Sequence, residues 1–372
     1  MMDEALTAKR LLGHIGEVNS IAARGDVFAT GANRHQGVEG AVRIWNLYGE
    51  QVWEIATDLN SIFGLAVSPD GRFLAAGGGG AVFGQRWEYT GGVEVWSLEN
   101  NKRVARFGEH DLFFVKSLAF SPDGNLLLTS SSPKPSRQPL DGYKRVRFWR
   151  TSDYKKILAF GDEEGDFAKA CFSPNGQFVA VAANPASVGV RAATGLLDKL
   201  RRQYFIPTLL SKKRANIFLH DVSSKTPLIR VWNTFGREEP FLELPKGRVS
   251  GLAFSPDGRT LASCGTSLIT WDFAGRKAVT EFAQRSSSHS VAFSPDGRIL
   301  ASGGGYRFEP GSPYADCGVT LWDCESGRLI AFLPQEKPVH SLAFAPDGQK
   351  IVAGGESGEL LIWNTESTLS HG

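Results

Sequence analysis

The residues of this chain whose types and spacing most resemble a catalytic motif are two runs of glycine. The glycines at 77–80 and at 303–305 are of the kind that lets backbone N–H groups approach a phosphate. Strand-like residues rather than a helix follow each run, so we interpret both as connections between strands. Phosphate-loop, zinc-protease, nucleophile-elbow and Cys-x-x-Cys motifs do not occur, and the histidines do not cluster in the sequence. We therefore expect no catalytic residue, no metal site and no cofactor.

A second kind of chemistry, anion binding, is suggested by the basic segment 185–216. It carries seven Lys and Arg residues against one Asp, while the whole chain has a net charge of only +2. Its basic side chains, Arg201 and Arg202 among them, leave three alternatives open: a solvated face, a surface for an acidic protein partner, or a site for nucleic acid or anionic lipid. One helical face of the segment is apolar, which predicts a short amphipathic helix that ends before Pro207: Ala193, Leu196, Leu197, Leu200 and Tyr204.

The elements that must position these residues are marked by a recurring turn. Ser-Pro-Asp-Gly begins at Ser68, Ser121, Ser255 and Ser294, and close copies occur at 173–176 and 345–348. Proline presets φ at the second turn position, and glycine supplies the positive φ that leads into the next strand. Since apolar runs flank each copy, every copy predicts a β-hairpin.

A tryptophan at the end of an apolar strand recurs once per unit and gives the period. Seven such residues occur, at Trp45, Trp96, Trp149, Trp232, Trp271, Trp322 and Trp363. The interval from a tryptophan to the next turn is 23 to 25 residues, whereas the interval from a turn to the next tryptophan varies from 16 to 59. The chain is therefore predicted to contain seven units, with insertions entering each unit at one place. Residues 228–232 fit the tryptophan strand of the fourth unit, and 217–222 is either an extra strand beside it or that strand itself.

These features together resemble the WD-repeat β-propeller family. Units of about 40 to 50 residues with Gly-His near the start and Trp-Asp near the end are typical of it. Trp271-Asp272 and Trp322-Asp323 match the second pair, while only Gly13-His14 reproduces the first. The resemblance implies one domain over 1–372, an all-β, seven-bladed propeller of four-stranded antiparallel blades. The family's buried His/Ser/Trp/Asp hydrogen-bond network is not expected in most blades.

Ring closure is predicted from the two ends of the sequence. After Trp363-Asn364 too few residues remain for a fourth strand in the last blade. The apolar-tinged segment 5–12 stands where the other units have their outer strand. We expect it to complete blade seven, because a closed ring leaves no exposed sheet edge.

Binding residues are expected on one face of the propeller. Loops between the second and third strands open on the same face as the connections between blades, and the family calls this face the top. Blades two, three and six have insertions there that are rich in aromatic residues and arginine, the types that binding surfaces favour. The alternative is that these loops pack against one another. The selected residues are Arg86, Trp87, Tyr89, Tyr143, Arg145, Tyr306 and Arg307.

A ring of equivalent positions is predicted by counting five residues back from each turn. By resemblance to the family, this ring edges the central channel on the top face. Lys116, His289 and His340 in it, together with the basic segment, favour an acidic peptide or another anion; the alternative is a wet channel mouth that binds nothing. The complete ring is Asn19, Phe63, Lys116, Ala168, Ser250, His289 and His340.

The four cysteines are not a disulfide framework. Cys171 and Cys264 fill small-residue positions in strands, and Cys317 and Cys324 flank one strand, which places them about 23 Å apart. With no apolar stretch of signal-peptide type in residues 1–10 and no membrane-spanning segment, a cytoplasmic location is the simplest prediction.

The function that we predict is a non-enzymatic protein–protein interaction scaffold, a subunit or adaptor of a larger complex that binds one or more proteins. An anion or nucleic-acid binding module that uses the basic segment is one alternative. A propeller enzyme with a site in the central channel is another, but the converging acidic and histidine ligands that it needs are not evident.

Overall fold

The computed structural model describes residues 8–33, 41–83, 87–108, 114–132, 145–160, 166–184, 228–243, 247–306 and 314–365. These residues form 28 strands, which are arranged as seven four-stranded antiparallel sheets. The sequence prediction of an all-β, seven-bladed propeller is confirmed. Segment 185–216 and its predicted helix lie outside the described residues, as does 217–222.

Each of the first three blades consists of four consecutive strands, of which the first is innermost. Blade one has β2 (Val18–Arg24), β3 (Val27–Ala32), β4 (Ala41–Asn46) and β5 (Gln51–Ala56). Blade two has β6 (Ile62–Val67), β7 (Phe73–Phe83), β8 (Trp87–Ser97) and β9 (Lys102–Phe107). Blade three has β10 (Phe114–Phe120), β11 (Leu126–Ser132), β12 (Val146–Arg150) and β13 (Lys156–Phe160).

Blades four to six follow the same order. Blade four has β14 (Asp166–Phe172), β15 (Phe178–Asn184), β16 (Leu228–Asn233) and β17 (Glu238–Glu243). Blade five has β18 (Val249–Phe254), β19 (Thr260–Gly265), β20 (Leu268–Asp272) and β21 (Lys277–Phe282). Blade six has β22 (Ser287–Phe293), β23 (Ile299–Tyr306), β24 (Tyr314–Asp323) and β25 (Leu329–Pro334).

Blade seven joins the two ends of the described chain. It consists of β26 (Val339–Phe344), β27 (Lys350–Gly355), β28 (Glu359–Asn364) and β1 (Lys9–Leu12), and β1 pairs antiparallel with β28. The pairing predicted for segment 5–12 is therefore present over its last four residues, while residues 1–7 lie outside the described part. Leu11 is buried in an apolar cluster that holds residues of blades one and seven, among them Phe28 and Ile362.

The recurring turns owe their shape to hydrogen bonds within each motif. In the first copy, the Ser68 hydroxyl donates to Asp70 Oδ1 (2.5 Å) and accepts the N–H of Phe73 (2.9 Å). Gly71 has φ of +75°, a conformation that residues with a Cβ rarely adopt. The same serine–aspartate contact is present in the turns at Ser121, Ser255 and Ser294. Because each turn is satisfied by its own residues, the motif specifies a hairpin locally.

The glycine runs do not lie in loops, and the expectation that they are connections between strands was wrong. Residues 77–80 lie inside β7, and 303–305 lie inside β23, because the second and third strands of blades two and six extend beyond those of the other blades. The backbone at Gly78 passes so close to the chain before β6 that a Cβ would lie 1.9 Å from the Ser61 carbonyl oxygen. Glycine is required there for packing.

The tryptophans anchor the blades through hydroxyl groups on the neighbouring strand. In blade one, the indole N–H of Trp45 donates to the Thr30 hydroxyl oxygen (2.9 Å). Equivalent bonds link Trp149 to Thr129 (3.0 Å), Trp271 to Ser263 (2.9 Å) and Trp322 to Ser302 (3.1 Å). In blade one, His14 Nε2 also contacts Thr30 Oγ1, at 2.7 Å. The tryptophan–hydroxyl half of the network is thus present in blades one, three, five and six.

Blade two offers a test of this bond. Ala76 stands at the hydroxyl position, and the buried Trp96 Nε1 has no hydrogen-bond partner among the described residues. We expect Ala76→Ser to supply the missing acceptor and to raise the free energy of unfolding by about 1 kcal/mol. Ala75→Ser is the matched control: Ala75 lies in a different apolar cluster, so its hydroxyl should destabilise the fold by about 1 kcal/mol or more. Urea unfolding of both variants measures this, and equal destabilisation by the two would contradict the prediction.

All four cysteines are unpaired, as the sequence predicted. Cys264 and Cys317 are buried, and burial raises the pKa of the Cys171 and Cys264 thiols to about 12. Both thiols are therefore protonated and unreactive at neutral pH.

Candidate functional site at the channel mouth

The ring of residues found by counting corresponds to a repeated β-bulge. Successive inner strands contact one another around the propeller, including β26 with β2, so together they surround a central channel. In each of these strands the pairing register skips a residue near the top end. The skipped residues are Asn19, Phe63, Lys116, Ser250, His289 and His340, and in blade four the pair Ala168 and Lys169. A bulge re-aims the side chain of the extra residue, so these positions form one structural set.

In blades one, three, six and seven, a serine after the bulge ties its blade to the next one. Ser20 Oγ accepts the N–H of Leu65 (2.9 Å), and Ser341 Oγ accepts the N–H of Ile21 (2.9 Å). Ser117 and Ser290 make the corresponding bonds to Ala170 and Leu342, both at 3.2 Å. These bonds fix the inner strands against one another, so the channel mouth is a rigid frame rather than a loop surface.

Lys169 is the exception in this frame, and reasoning from the sequence missed it. It stands four residues before its turn, where the other blades have Ser20, Gly64, Ser117, Gly251, Ser290 and Ser341. Burial lowers the pKa of Lys169, and its ammonium group acts electrostatically on Cys264 and His289. The signal was present in the sequence, because aligning the seven inner strands shows one lysine among serines and glycines.

The two histidines of the ring lie side by side. The ring centroids of His289 and His340 are 5.6 Å apart. Burial, reinforced by the charge of His340, lowers the pKa of His289 to about 4, and burial also lowers the pKa of His340. Both rings are therefore neutral near pH 7. Neither ring therefore adds positive charge to the mouth near pH 7, and the place of His289 and His340 in a surface for an anion stays a prediction.

Charge around the mouth is instead divided between its two sides. Lys116, Lys169 and Arg248 belong to blades three, four and five. Glu17 and Glu356 lie near the histidines, in blades one and seven, and both oppose the lowering of the His340 pKa. The mouth thus has a cationic side and an acidic side, with neutral imidazoles between them.

An aromatic pair adds an apolar element to the cationic side. Phe63 of blade two packs edge-on against Phe114 of blade three, with ring centroids 5.7 Å apart. Phe114 is two residues before Lys116 in β10, and Phe63 is only partly buried. An apolar ring next to a lysine suits a peptide that carries both apolar and acidic side chains.

The predicted rim residues are only partly described. Arg86, Tyr143, Arg201, Arg202 and Arg307 lie outside the described residues. Trp87 and Tyr89 are in β8, in the extended part that pairs with β7, and Tyr306 ends β23 opposite Tyr314. Arg145 directly precedes β12, and its carbonyl oxygen accepts the N–H of Ser131 (3.0 Å). These residues remain predictions as a binding rim.

Blade two contains a second polar cluster that the sequence did not reveal. Glu94 is fully buried, and its Oε1 accepts the N–H of Asp58 (3.1 Å) and a guanidinium N–H of Arg103 (3.3 Å). Asp58 also pairs with Arg103 (2.5 Å) and with Arg106. Burial raises the pKa of Glu94, whereas the Arg103 hydrogen bond lowers that of Asp58. The cluster ties the connection between blades one and two to β8 and β9.

Groups that could support metal chemistry or membrane insertion were sought in the described part of the chain. It holds no set of three or more His, Cys, Asp or Glu side chains placed to hold a metal ion. Within the same ranges, no helix has the length and apolar character needed to cross a membrane.

Comparison with protein families gives four matches to one repeat model. The model for the WD domain, G-beta repeat, matches residues 101–134, 240–272, 277–323 and 327–364. Each matched segment covers strands of the propeller described above.

Comparison with curated proteins gives distant relatives. Protein hir-1 of Neurospora crassa is 23% identical over 89% of this chain and 33% of its own length. The pre-mRNA-splicing factor cwf17 of Schizosaccharomyces pombe is 27% identical over 37% of this chain and 39% of its own. The LST8 homolog of Drosophila melanogaster is 30% identical over 32% of this chain and 33% of its own length. The alignments thus span between a third and two fifths of these relatives.

Proposed function

This chain belongs to the WD-repeat β-propeller family, and on that premise we propose that it is a non-enzymatic interaction scaffold that binds a protein partner at the top-face mouth of its channel. The single observation that carries the proposal is the divided charge of this mouth, with Lys169 held where the other blades have serine or glycine. A frame of small residues that holds one partly buried lysine is suited to selecting a partner group by its charge.

The partner segment that fits best is a peptide with an acidic side chain. A carboxylate next to Lys169 would favour the protonated form of its amine, which burial alone disfavours. Lys116 and Arg248 flank Lys169 on the same side of the mouth, and Phe63 provides an apolar contact. Glu17 and Glu356 on the other side would repel acidic groups there, so the mouth favours one orientation of the peptide.

The proposal also includes the binding residues that the sequence predicts on the top face: Arg86, Trp87, Tyr89, Tyr143, Arg145, Arg201, Arg202, Tyr306 and Arg307. Membership of an assembly is proposed because a seven-bladed ring offers several separate faces, and because one relative is named as a splicing factor. Four unpaired cysteines suit a reducing compartment such as the cytoplasm.

The test compares partners captured by variants that differ in charge at the mouth. Lys116→Glu should reduce capture of the cognate partner at least about 10-fold at low salt, since it reverses a charge on the cationic side. Lys277→Glu is the matched control, because Lys277 carries the same charge on the exposed outer strand of blade five and should have no effect. Quantitative mass spectrometry of proteins bound to each variant gives the result.

Lys169→Met provides the second arm. Methionine keeps the length of the side chain and removes the charge, so binding should weaken while the protein stays folded or becomes more stable. Proteins captured equally by the wild type and by all three variants would contradict binding at this mouth. Loss of binding in Lys277→Glu as well would indicate a nonspecific charge effect.

A further inference from the structure

Gln284 in blade six occupies the position that His14 has in blade one. His14 lies six residues before Ser20, the residue after the first bulge, and Gln284 lies six residues before Ser290, its equivalent. Blade one therefore shows which group fits this place. There the imidazole Nε2 lies 2.7 Å from Thr30 Oγ1, and the Trp45 indole N–H donates to the same oxygen.

The imidazole of blade one is held as a neutral ring. Burial, with a further contribution from the charge of Arg43, lowers the pKa of His14 to about 3. A neutral ring has one unprotonated nitrogen that can accept the Thr30 hydroxyl proton, for which the Arg43 carbonyl oxygen at 3.4 Å is the other acceptor.

Blade six retains the hydroxyl residue and the tryptophan of this arrangement but not the imidazole. Trp322 donates to Ser302 Oγ (3.1 Å), as Trp45 does to Thr30. The Gln284 side chain turns toward blade five instead, where its Nε2 donates to the carbonyl oxygens of Gly265 (3.0 Å) and Thr266 (2.9 Å). Its Oε1 accepts the Ser288 hydroxyl (2.7 Å), which fixes it in this orientation.

A cavity of about 300 Å³ lies at the place left by this arrangement. Its volume is at the lower end of the range found for small-molecule sites. Phe332 and the Trp322 ring supply apolar walls. The polar lining consists of one amide, four hydroxyls and one group of each charge: Gln284, Ser286, Ser288, Ser302, Thr320, Arg285 and Asp316.

We propose that this cavity binds a neutral imidazole ring, with Ser302 Oγ donating to the unprotonated ring nitrogen and Trp322 forming the adjacent wall. The ring comes either from a small imidazole compound or from a histidine side chain of a partner that enters between blades five and six. Such a ring would complete in trans the contact that His14 makes within the chain. The site is separate from the channel mouth and does not depend on the function proposed for it.

The test uses 4-methylimidazole, the side chain of histidine, in weakly alkaline buffer where the ring is neutral. Titration should shift the indole N–H resonance of Trp322 in the full chain, followed by ¹H–¹⁵N NMR spectroscopy. Ser302→Ala should weaken binding about 5- to 10-fold, the effect of losing one hydrogen bond. A capped Gly-His-Gly peptide distinguishes the two sources: binding as strong as that of 4-methylimidazole indicates a partner side chain, and no binding indicates a small molecule.

Gln284→His is the decisive variant, since it places an imidazole in the cavity from within the chain. It should abolish binding of 4-methylimidazole and raise the melting temperature. Gln335→His is the matched control, because Gln335 has the equivalent position in blade seven, where Ala353 replaces the hydroxyl residue; it should leave binding unchanged. Undiminished binding by Gln284→His, or no shift of Trp322 in the wild type, would overturn the proposal.

Discussion

Leu11→Asn is expected to destabilise the whole ring, lowering the free energy of unfolding by about 3 to 4 kcal/mol. Leu11 is 7% exposed and packs in the cluster that joins blades seven and one, where β1 completes the last sheet. Asparagine has a similar size but brings an amide into an apolar site without a partner. Because β1 links the first and last blades, the loss should appear as one cooperative transition at lower denaturant, measured by circular dichroism.

Leu12→Asn is the control for this prediction. Leu12 belongs to the same strand, is 76% exposed and pairs with Glu359, so the same change there should cost less than about 1 kcal/mol. Similar losses of stability in both variants would mean that the effect does not come from the packing of Leu11 in the core. No loss in either would contradict closure of the ring by this strand.

Acid is expected to destabilise the protein well before its carboxylates protonate. Burial lowers the pKa of His14 to about 3 and that of His289 to about 4, whereas an unfolded histidine titrates near 6.5. The unfolded state therefore binds more protons as the pH falls below about 6.5, and stability declines down to the folded pKa of each ring. Each histidine contributes about 1.4 kcal/mol per pH unit in this window, or roughly 6 kcal/mol for both by pH 4.

The charged groups near His289 do not reverse the lowering of its pKa. Lys169, Arg248 and His340 favour the neutral ring, and only Glu356 opposes them. His289→Gln should therefore reduce the slope of stability against pH between about 6.5 and 4 by roughly half. The turn aspartates, whose pKa values are lowered by serine hydroxyls, act only below about pH 4. Glu94, whose pKa is raised by burial, opposes the loss of stability equally in the wild type and in His289→Gln, so it does not change the difference between their slopes. Urea unfolding at several pH values measures the slope, and a flat profile above pH 5 in the wild type would contradict burial of these rings.

Much of the site's frame was predictable because it follows from local sequence. Counting back from the turns located Asn19, Phe63 and Lys116 at equivalent places, since each inner strand has the same length between its bulge and its turn. The neutral state of His289 and His340 near pH 7 was not predictable in the same way. Their pKa values depend on burial between blades, and no feature within β22 or β26 reveals it.

The extended hairpins of blades two and six are a second feature that the local sequence did not reveal. The sequence located the insertions but assigned them to loops, since glycine-rich stretches favour turns. The structure places the glycines at 77–80 inside β7, and at Gly78 contact with Ser61 of the preceding connection excludes a Cβ. Glycine was selected here by a neighbouring backbone that is not adjacent in sequence.

The sequence by itself determined the number of blades, the inner hairpins and the closing strand, because turns, strand periodicity and tryptophan spacing are properties of short segments. Only the tertiary structure decided the chemistry of the surface. The lowered pKa values of His289 and Lys169 arise where neighbouring blades meet, and the cavity beside Ser302 arises between blade six and the connection that leads into it. Burial and electrostatics depend on every atom that is near in space, so residues from distant units set them together.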